Sequence, residues 1–512
     1  VDNDVTEATS PADFRLGDYS SDDADRFPYA IYTPAYRPSE RKAVFGSAEF
    51  EAIEDYLTIY MDFIYNDAWT QAGLAPAPVV IWPALGTREL TIPANNYWNQ
   101  QIFGSNAVDI DNWGYRFLDV GERLNETKMD DLYFLGGVKG DIIENWTYDV
   151  SWFYNKQSEL DIENNGVNAD HLEEVLQSTN DPNAKFPGAQ SFNMFTNVFD
   201  SGVVSNNEEV IDYIRLKLTT ERIYREELAN LTIAGQPFEL PSGEVDLAFG
   251  IEERVAGFQR NPDYAKLYLA SGSGWNGTTQ EDWTFTTTSL FAEMIVPVLS
   301  DMDYIEQLDI GAAIRKEEFS HISAEPEIFR IFSRYQMNDE FLFRASYSEG
   351  FTTPSPSNLT DATFQSFPNI WMPWIGVLDQ SIDGVTVKGN DKLEPTESET
   401  INLGIVYSPE AVEGLEFIVD FYAIEQSNLI TSSAQFYVDV LYDSGGISNT
   451  GTATSPNWVV DPTAPFANRV SISPSNGVVV TVDPVETLNI ASRELSGLDF
   501  EVRYQMETEN MG

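Results

Sequence analysis

The sequence NDEFLFRASYSEGFTTPSPSNL, residues 338–359, joins a two-sided strand to an abrupt series of turn residues. One face of the extended part is apolar and carries Phe341, Phe343, Ala345 and Tyr347. The other face is mostly polar and carries Leu342, Arg344, Ser346 and Ser348. The strand ends after Gly350, because Pro354 and Pro356 cannot donate ladder hydrogen bonds. A soluble sandwich would turn the apolar face inward, whereas a membrane barrel would turn it toward lipid, so the periodicity leaves both architectures open.

Three segments of the chain are similar to successive strand signatures of one family. RASYSEGFTTPSPSNL, residues 344–359, resembles the R-A-S-Y-S-E-G-F-R-A-P-S strand of TonB-dependent outer-membrane receptors. Residues 389–430 resemble that family's next signature, N-P-x-L-x-P-E-x-S-x-x-x-x-L-G, and residues 495–506 resemble the strand that follows it. Thr352 and Asp391 stand where the family usually has Arg and Pro, but the order and spacing of all three segments agree.

The resemblance assigns structural motif positions within these segments. They are Arg344, Tyr347, Gly350, Phe351, Pro354, Leu393, Pro395, Glu397, Gly404, Gly497 and Asp499. We expect Gly350, Phe351 and Pro354 to shape the point where one strand leaves the membrane. The second signature is expected to shape the point where the next strand enters.

The composition excludes one class of partner and several kinds of chemistry. The 512 residues include 29 Lys and Arg against 82 Asp and Glu, which gives a formal charge of −53. Nucleic acid is excluded as a partner, because a phosphate backbone requires a basic surface. The acidity indicates either adaptation to a salty environment or loops that attract cations. Cysteine is absent, so the chain has no disulfide, thiolate metal site or thiol nucleophile.

The hydrophobic pattern predicts membrane insertion through strands. No run of 18 apolar residues occurs, so no membrane-spanning helix is expected. Trp146, Tyr148, Val150, Trp152 and Tyr154 share one face and form the best lipid-facing strand. Short and long connections alternate along the chain, as in outer-membrane barrels. The sequence also predicts a strand near residues 112–120 and a short helix at Ala169–Gln177 within an otherwise irregular segment, 157–220.

The sequence predicts binding and passage, with no covalent step. It contains no P-loop, G-x-S-x-G or H-E-x-x-H motif, and its carboxylate pairs are those expected of so acidic a chain. We therefore expect no catalytic residue, no metal site and no cofactor. Trp275, Trp371 and Trp374 are the candidate ligand contacts, because aromatic rings in extracellular loops can stack on a solute.

Together these features predict an all-β, transmembrane antiparallel β-barrel with long extracellular loops. About 14 strands of the family's 22-stranded barrel are expected in residues 1–512. The sequence begins without an apolar leader. We expect a plug domain and the closing strands to lie outside the chain. The resemblance implies a receptor in the outer membrane of a Gram-negative bacterium, in contact with membrane lipid. Such a receptor imports a siderophore, saccharide, vitamin or peptide with energy from the TonB protein. A passive porin and a soluble secreted β-sandwich binding protein are the alternatives.

Overall fold

The computed structural model describes most of the chain. The described residues are 10–14, 29–80, 90–111, 113–177, 182–195, 206–268, 279–360, 363–366, 368–380 and 385–506. In these ranges, 13 strands form one antiparallel sheet in which every strand pairs with its neighbours in sequence. They are β1 (Ser39–Ile53), β2 (Leu57–Leu74), β3 (Arg123–Ile143), β4 (Trp146–Val167), β5 (Arg215–Gly235), β6 (Asp246–Pro262), β7 (Glu281–Met302), β8 (Ile305–Phe319), β9 (Glu327–Asn338), β10 (Phe341–Thr352), β11 (Thr396–Tyr407), β12 (Leu415–Thr431) and β13 (Leu488–Tyr504).

One face of this sheet is apolar and exposed. Residues directly opposite one another on neighbouring strands share a face, so the register Ala345–Leu403–Phe421–Leu498 defines a continuous apolar row. Leu403 is 50% exposed although its whole row is apolar. Exposed members of the same face include Ile59, Met61, Val150, Trp152, Leu231, Phe249, Ile251, Leu290, Ile310, Ile314, Ile331 and Ile401. We call this face the apolar belt.

The apolar belt decides between the two architectures left open by periodicity. A soluble sandwich would bury such a face against a second sheet, whereas a lipid-facing barrel leaves it on the outside. Val150 and Trp152 of the predicted lipid-facing strand both lie on it. The soluble β-sandwich alternative is therefore wrong.

The opposite face, which we call the inner wall, is polar and salt-bridged. Arg344 on β10 pairs with Asp420 on β12, with 2.6 Å between Nη2 and Oδ2. Arg315 on β8 pairs with Glu252 on β6, with 3.0 Å between Nη2 and Oε1. Cross-strand pairs of this kind place polar groups where a water-filled lumen can solvate them.

Connections alternate in length between the two ends of the sheet. At one end are short turns, such as the one between β1 and β2, where Asp55 has a φ of 62°, and the one between β3 and β4, where Asn145 also has a φ of 62°. Asn and Asp tolerate this left-handed conformation better than most residues, which suits them to tight hairpins. The long connections, including 75–122, 168–214, 353–395 and 432–487, all leave from the other end. This asymmetry confirms the predicted pattern.

Two of the long connections fold together over β2 to β5. The described parts of 75–122 and 168–214, which we call cap A, include α1 (Tyr97–Phe103), α2 (Ala169–Gln177) and α3 (Glu208–Ile214). Their shared core buries Phe117, Leu172, Leu176, Phe192 and Ile214 completely or almost so. The predicted helix at Ala169–Gln177 is confirmed. The rest of 157–220 is more ordered than expected, because β4 runs to Val167 and β5 begins at Arg215.

The strand predicted near residues 112–120 does not join the sheet. Only Gly114–Arg116 is extended there, and it pairs with Pro78–Val80 inside cap A. Tyr115 and Phe117 pack in the cap core instead of facing lipid. The described sheet consequently has 13 strands where the sequence predicted about 14.

A second pair of long connections folds over β10 to β13. The described parts of 353–395 and 432–487, which we call cap B, contain α5 (Pro356–Leu359), α6 (Ala434–Asp443) and three small sheets. Their strands are Thr363–Ser366, Asn369–Met372, Val377–Gln380, Val385–Lys388, Ile447–Asn449, Trp458–Val460, Val470–Ile472 and Val479–Glu486. Tyr437, Val438, Leu441, Val479 and Val482 are buried in their common core.

The remaining elements are short. They are α4 (Tyr264–Tyr268), the hairpin strands Glu239–Leu240 and Gly243–Glu244, and 3-10 turns at Pro11–Asp13, Tyr29–Tyr32, Gly104–Asn106 and Gly188–Gln190. None of the helices in the described ranges has the length and apolar character that a membrane crossing requires.

Candidate functional site

Three of the motif residues meet in one row of the inner wall. The register places Arg344 opposite Gly404, Gly404 opposite Asp420, and Asp420 opposite Asp499. The Arg344 guanidinium reaches across Gly404 and donates to both oxygens of Asp420, at 3.1 Å from Nε and 2.6 Å from Nη2. A Cβ at position 404 would lie less than 3.0 Å from atoms of both partners. Gly404 therefore leaves the space that this bidentate pair needs.

Gly497 has a related role one row away. It lies opposite Tyr422, and a Cβ there would come less than 3.0 Å from the tyrosine ring and hydroxyl. The inner wall repeats this arrangement with Phe291 over Gly250 and Phe332 over Gly311. Each aromatic ring covers a glycine that presents no side chain, an arrangement known to support sheets at such sites.

Four motif residues line a cavity at the long-connection end of β10 and β11. Phe351, Leu393, Pro395 and Glu397 border a space of about 560 Å³ together with the loop around His321. Phe351 lies opposite Glu397 in the register. Burial lowers the pKa of the His321 imidazole. The two sequence signatures thus meet at one rim.

The other motif residues have separate surroundings. Tyr347 lies outside the inner wall, opposite Ile401 of the apolar belt, and its hydroxyl donates to Glu349 at 3.4 Å. Pro354 is buried where the chain leaves β10. A Cβ at Gly350 would come 2.8 Å from the Ser398 hydroxyl.

The candidate tryptophans differ in their environments. Trp374 is half-buried in cap B, donates its indole N–H to the Gly477 carbonyl at 2.8 Å and packs against Tyr442. Trp371 is 46% exposed and faces out of the same cap, opposite Leu378 on its hairpin. Trp275 lies outside the described residues. The geometry makes Trp374 part of the cap's framework and leaves the Trp371 ring accessible.

Sequence reasoning missed a second cluster on the inner wall, on β4 to β7. The register aligns Glu159, Arg222, Arg260 and Glu281 in a single row across these four strands. Arg222 forms ion pairs with Glu159 and Asp161, and Arg260 pairs with Glu281 at 3.0 Å. The sequence shows that Arg222, Arg260 and Glu281 each lie two positions from an aromatic residue. It does not show that four strands bring these residues into one row.

An aromatic row lies beside these charges, one step nearer the short-turn end. Tyr224, Phe258 and Trp283 occupy adjacent strands, with ring centroids 4.8 Å apart for the first pair and 5.4 Å for the second. Trp283 stacks on Phe285 at 4.5 Å, and Phe285 stacks on His321 at 3.9 Å. The rings form a continuous shelf that faces the lumen.

A buried polar contact joins the two connections of cap A. Asn206 donates to Asp119 Oδ2 at 2.8 Å, and the Asn193 backbone N–H donates to the Asn206 side chain at 2.6 Å. Asp119 Oδ1 is buried and has no hydrogen-bond partner within the described ranges. Burial raises the pKa of Asp119, although the bond from Asn206 partly opposes that effect.

The described residues contain no group of three or more His, Asp or Glu side chains placed to hold a metal ion. The aromatic row and the ion pairs of the inner wall can contact a ligand through ring stacking and charge pairs.

Comparison with known proteins identifies the family. The family described as "TonB dependent receptor-like, beta-barrel" matches residues 82–507. No curated protein sequence matches the chain.

Several solved structures are similar to this chain at low sequence identity. The siderophore receptor PirA from Pseudomonas aeruginosa is 11% identical, with a TM-score of 0.36 over 91% of this chain and 62% of that one. The RagAB peptide transporter is 12% identical, with a TM-score of 0.46 over 92% of this chain and 45% of that one. The ferripyoverdine receptor of the Pseudomonas aeruginosa outer membrane is 10% identical, with a TM-score of 0.46 over 92% and 48%. The chain thus spans about half to two-thirds of their lengths.

The family match covers most of the chain and agrees with the 13-stranded meander, the apolar belt and the alternation of short turns with long connections. Its members are transporters without enzymatic activity. The chain belongs to the TonB-dependent receptor-like β-barrel family of the outer membrane of Gram-negative bacteria.

Proposed function

We propose that the chain is the barrel portion of a receptor that binds a scarce solute outside the cell and admits it to the periplasm with TonB-coupled energy. The observation that carries this proposal is the pair of folded caps at the long-connection end, above a polar inner wall. A simple pore needs only a polar lumen. Caps with their own hydrophobic cores supply a shaped surface that can select a solute before it enters.

The two edge strands of the described sheet support the proposal that the barrel is incomplete. Among the described strands, β1 pairs only with β2, and β13 pairs only with β12. A strand edge in lipid leaves backbone N–H and C=O groups without partners, which costs several kcal/mol for each group. We propose that residues 1–512 form a partial barrel, and that the closing strands and a plug domain belong to a longer protein.

For the solute we propose only a chemical class, and for the energy-coupling partner the TonB protein of this family. A siderophore, saccharide, vitamin or peptide would each fit a receptor of this family, and the TonB protein would act through the plug. Of the two described tryptophans, Trp371 is the better placed for solute contact, because its ring is accessible on cap B.

Conductance of the complete gene product in a planar lipid bilayer tests this function without a known solute. We expect a low conductance from the complete protein and a large, steady conductance after deletion of the plug-encoding segment. The coding DNA upstream of Val1 should encode a signal peptide and a plug-sized segment of roughly 100 to 200 residues. A large steady conductance from the complete protein, or a signal peptide joined almost directly to Val1, would instead identify a passive porin.

A further inference from the structure

We propose that the inner wall of β4 to β7 holds a subsite for an aromatic, uncharged or cationic part of the transported solute. We call this subsite, formed by Tyr224, Arg260, Glu281 and Trp283, the aromatic–arginine subsite. It rests on the proposed function, because a solute must reach the lumen to meet it.

Unsatisfied polar atoms beside the aromatic shelf point to a ligand. The Glu281 side chain is only 4% exposed and uses Oε1 to accept from Arg260. Its other oxygen, Oε2, is buried and has no hydrogen-bond partner in the described part of the chain. The indole N–H of Trp283 is also buried without a described partner. An unpaired buried polar atom is unfavourable, and a bound solute that supplies both partners removes that penalty.

The two unsatisfied groups have complementary roles on one strand. Trp283 supplies a donor, and Glu281 supplies an acceptor two residues away on the same face of β7. Equivalent atoms at i and i+2 of a strand are about 7 Å apart. A ligand therefore needs one acceptor and one donor spaced along the strand direction.

The neighbouring rings set the shape of the ligand. Tyr224 is 43% exposed, so one side of its ring is open, while Phe258 behind it is only 5% exposed. Arg260 lies over the Phe258 ring, with its guanidinium carbon 5.4 Å from the centroid. A planar group stacked on Tyr224 would extend this shelf and gain the free energy of an offset aromatic contact.

The local charge selects against anions. Carboxylates of Glu159, Asp161 and Glu281 face the guanidinium groups of Arg222 and Arg260, and each guanidinium is already paired. These carboxylates carry more charge than the two guanidinium groups, so the surplus negative charge repels an anionic ligand, most strongly beside the buried Glu281. The class that fits is an aromatic group carrying an amide or a similar donor and acceptor, uncharged or positively charged.

Binding of three matched probes to the complete gene product in nanodiscs tests the subsite, with empty nanodiscs as the background. The probes are N-acetyltyrosinamide, which is neutral, tyrosinamide, which is cationic, and N-acetyltyrosine, which is anionic. Saturation-transfer NMR measures each affinity. We expect saturable binding of the neutral and cationic probes and weaker binding of the anion.

The variants separate the subsite from nonspecific contact. Trp283→Phe keeps the ring but removes the donor, and we expect it to weaken binding of N-acetyltyrosinamide about fivefold, the loss of roughly one hydrogen bond. Trp152→Phe makes the same change on the apolar belt and should leave binding unaltered. Equal affinity of Trp283→Phe and the unsubstituted protein, tighter binding of the anion, or no saturable binding of any probe would each overturn the proposal. Conductance that identifies a passive pore would instead overturn the proposed function, whatever the probe results.

Discussion

At the scale of single residues, Gly404 shows why a small side chain stands at a motif position. The Arg344–Asp420 pair crosses directly above it, so any side chain at 404 must displace a bidentate ion pair. The register of three strands is enough to require a glycine at position 404. This steric requirement does not depend on a ligand.

We expect Gly404→Ala to destabilise the barrel by about 1–3 kcal/mol, the usual cost of overpacking a tight site. Gly46→Ala on strand β1 is the matched control, because a Cβ at position 46 meets no atom of the described residues within 4 Å. Thermal unfolding followed by heat-modifiable gel mobility measures both. An unchanged transition for Gly404→Ala would contradict the steric role of this glycine.

Asp119 gives cap A a dependence on pH. Burial raises its pKa in the folded cap, so the folded state binds a proton more tightly than the unfolded state does. The stability of cap A should therefore increase as the pH falls from neutral toward the ordinary carboxyl range. We expect Asp119→Asn to remove this dependence and to protect the cap at neutral pH, since an amide oxygen can still accept from Asn206.

Amide hydrogen exchange of residues 113–120 at neutral and mildly acidic pH measures this effect. Asp461→Asn is the control, because that carboxylate belongs to cap B, is exposed and has a pKa lowered by hydrogen bonds from Thr463. Exchange in Asp119→Asn that is faster than in the unsubstituted cap at neutral pH would contradict the prediction.

At the scale of elements, cap B separates the two tryptophans that sequence reasoning treated alike. Trp374→Ala removes a half-buried ring and the bond to the Gly477 carbonyl, so we expect cap B to lose about 3 kcal/mol of stability. Trp371→Ala removes an exposed ring and should leave the cap folded while weakening solute uptake. Limited proteolysis of cap B and uptake of the cognate solute measure the two effects. Uptake unchanged by Trp371→Ala would remove this residue from the proposed solute contacts.

The elements also show what the sequence could reveal. Alternation over Phe343, Ala345 and Tyr347 predicted a two-sided strand, and the amphipathic run at Ala169–Gln177 predicted a helix, because both patterns are local. The caps were missed because their cores join residues far apart in sequence, such as Phe117 with Leu172. The Glu159–Glu281 row was missed for the same reason, since it exists only when four strands are in register.

At the scale of the whole molecule, lipid and water meet the two faces of the same strand. Leu403 and Asn402 are sequence neighbours on β11, and both are exposed, but Leu403 lies on the apolar belt and Asn402 on the inner wall. A lysine on the lipid face near the bilayer midplane costs about 2–4 kcal/mol, whereas a lysine in a wet lumen costs little.

We therefore expect Leu403→Lys to reduce insertion of the complete protein into liposomes strongly, and Asn402→Lys to insert normally. Resistance of the inserted protein to protease measures the yield. Equal insertion of the two variants would contradict the assignment of Leu403 to the lipid face, and better insertion of Leu403→Lys would mean that the two faces are reversed.

All long connections leave the sheet at one end, and the short turns lie at the other. Outer-membrane barrels place their long loops outside the cell and their short turns in the periplasm, so we expect antibodies and phage tail proteins to reach the caps of an intact cell but not the hairpins. An epitope tag in an exposed loop of cap B, near Thr452, should be labelled by antibody on living cells. The same tag at Asp55 should be labelled only after the outer membrane is broken. Under that orientation, selection by phages and antibodies would act on the caps, and the strands could keep their register while the outward surface changes.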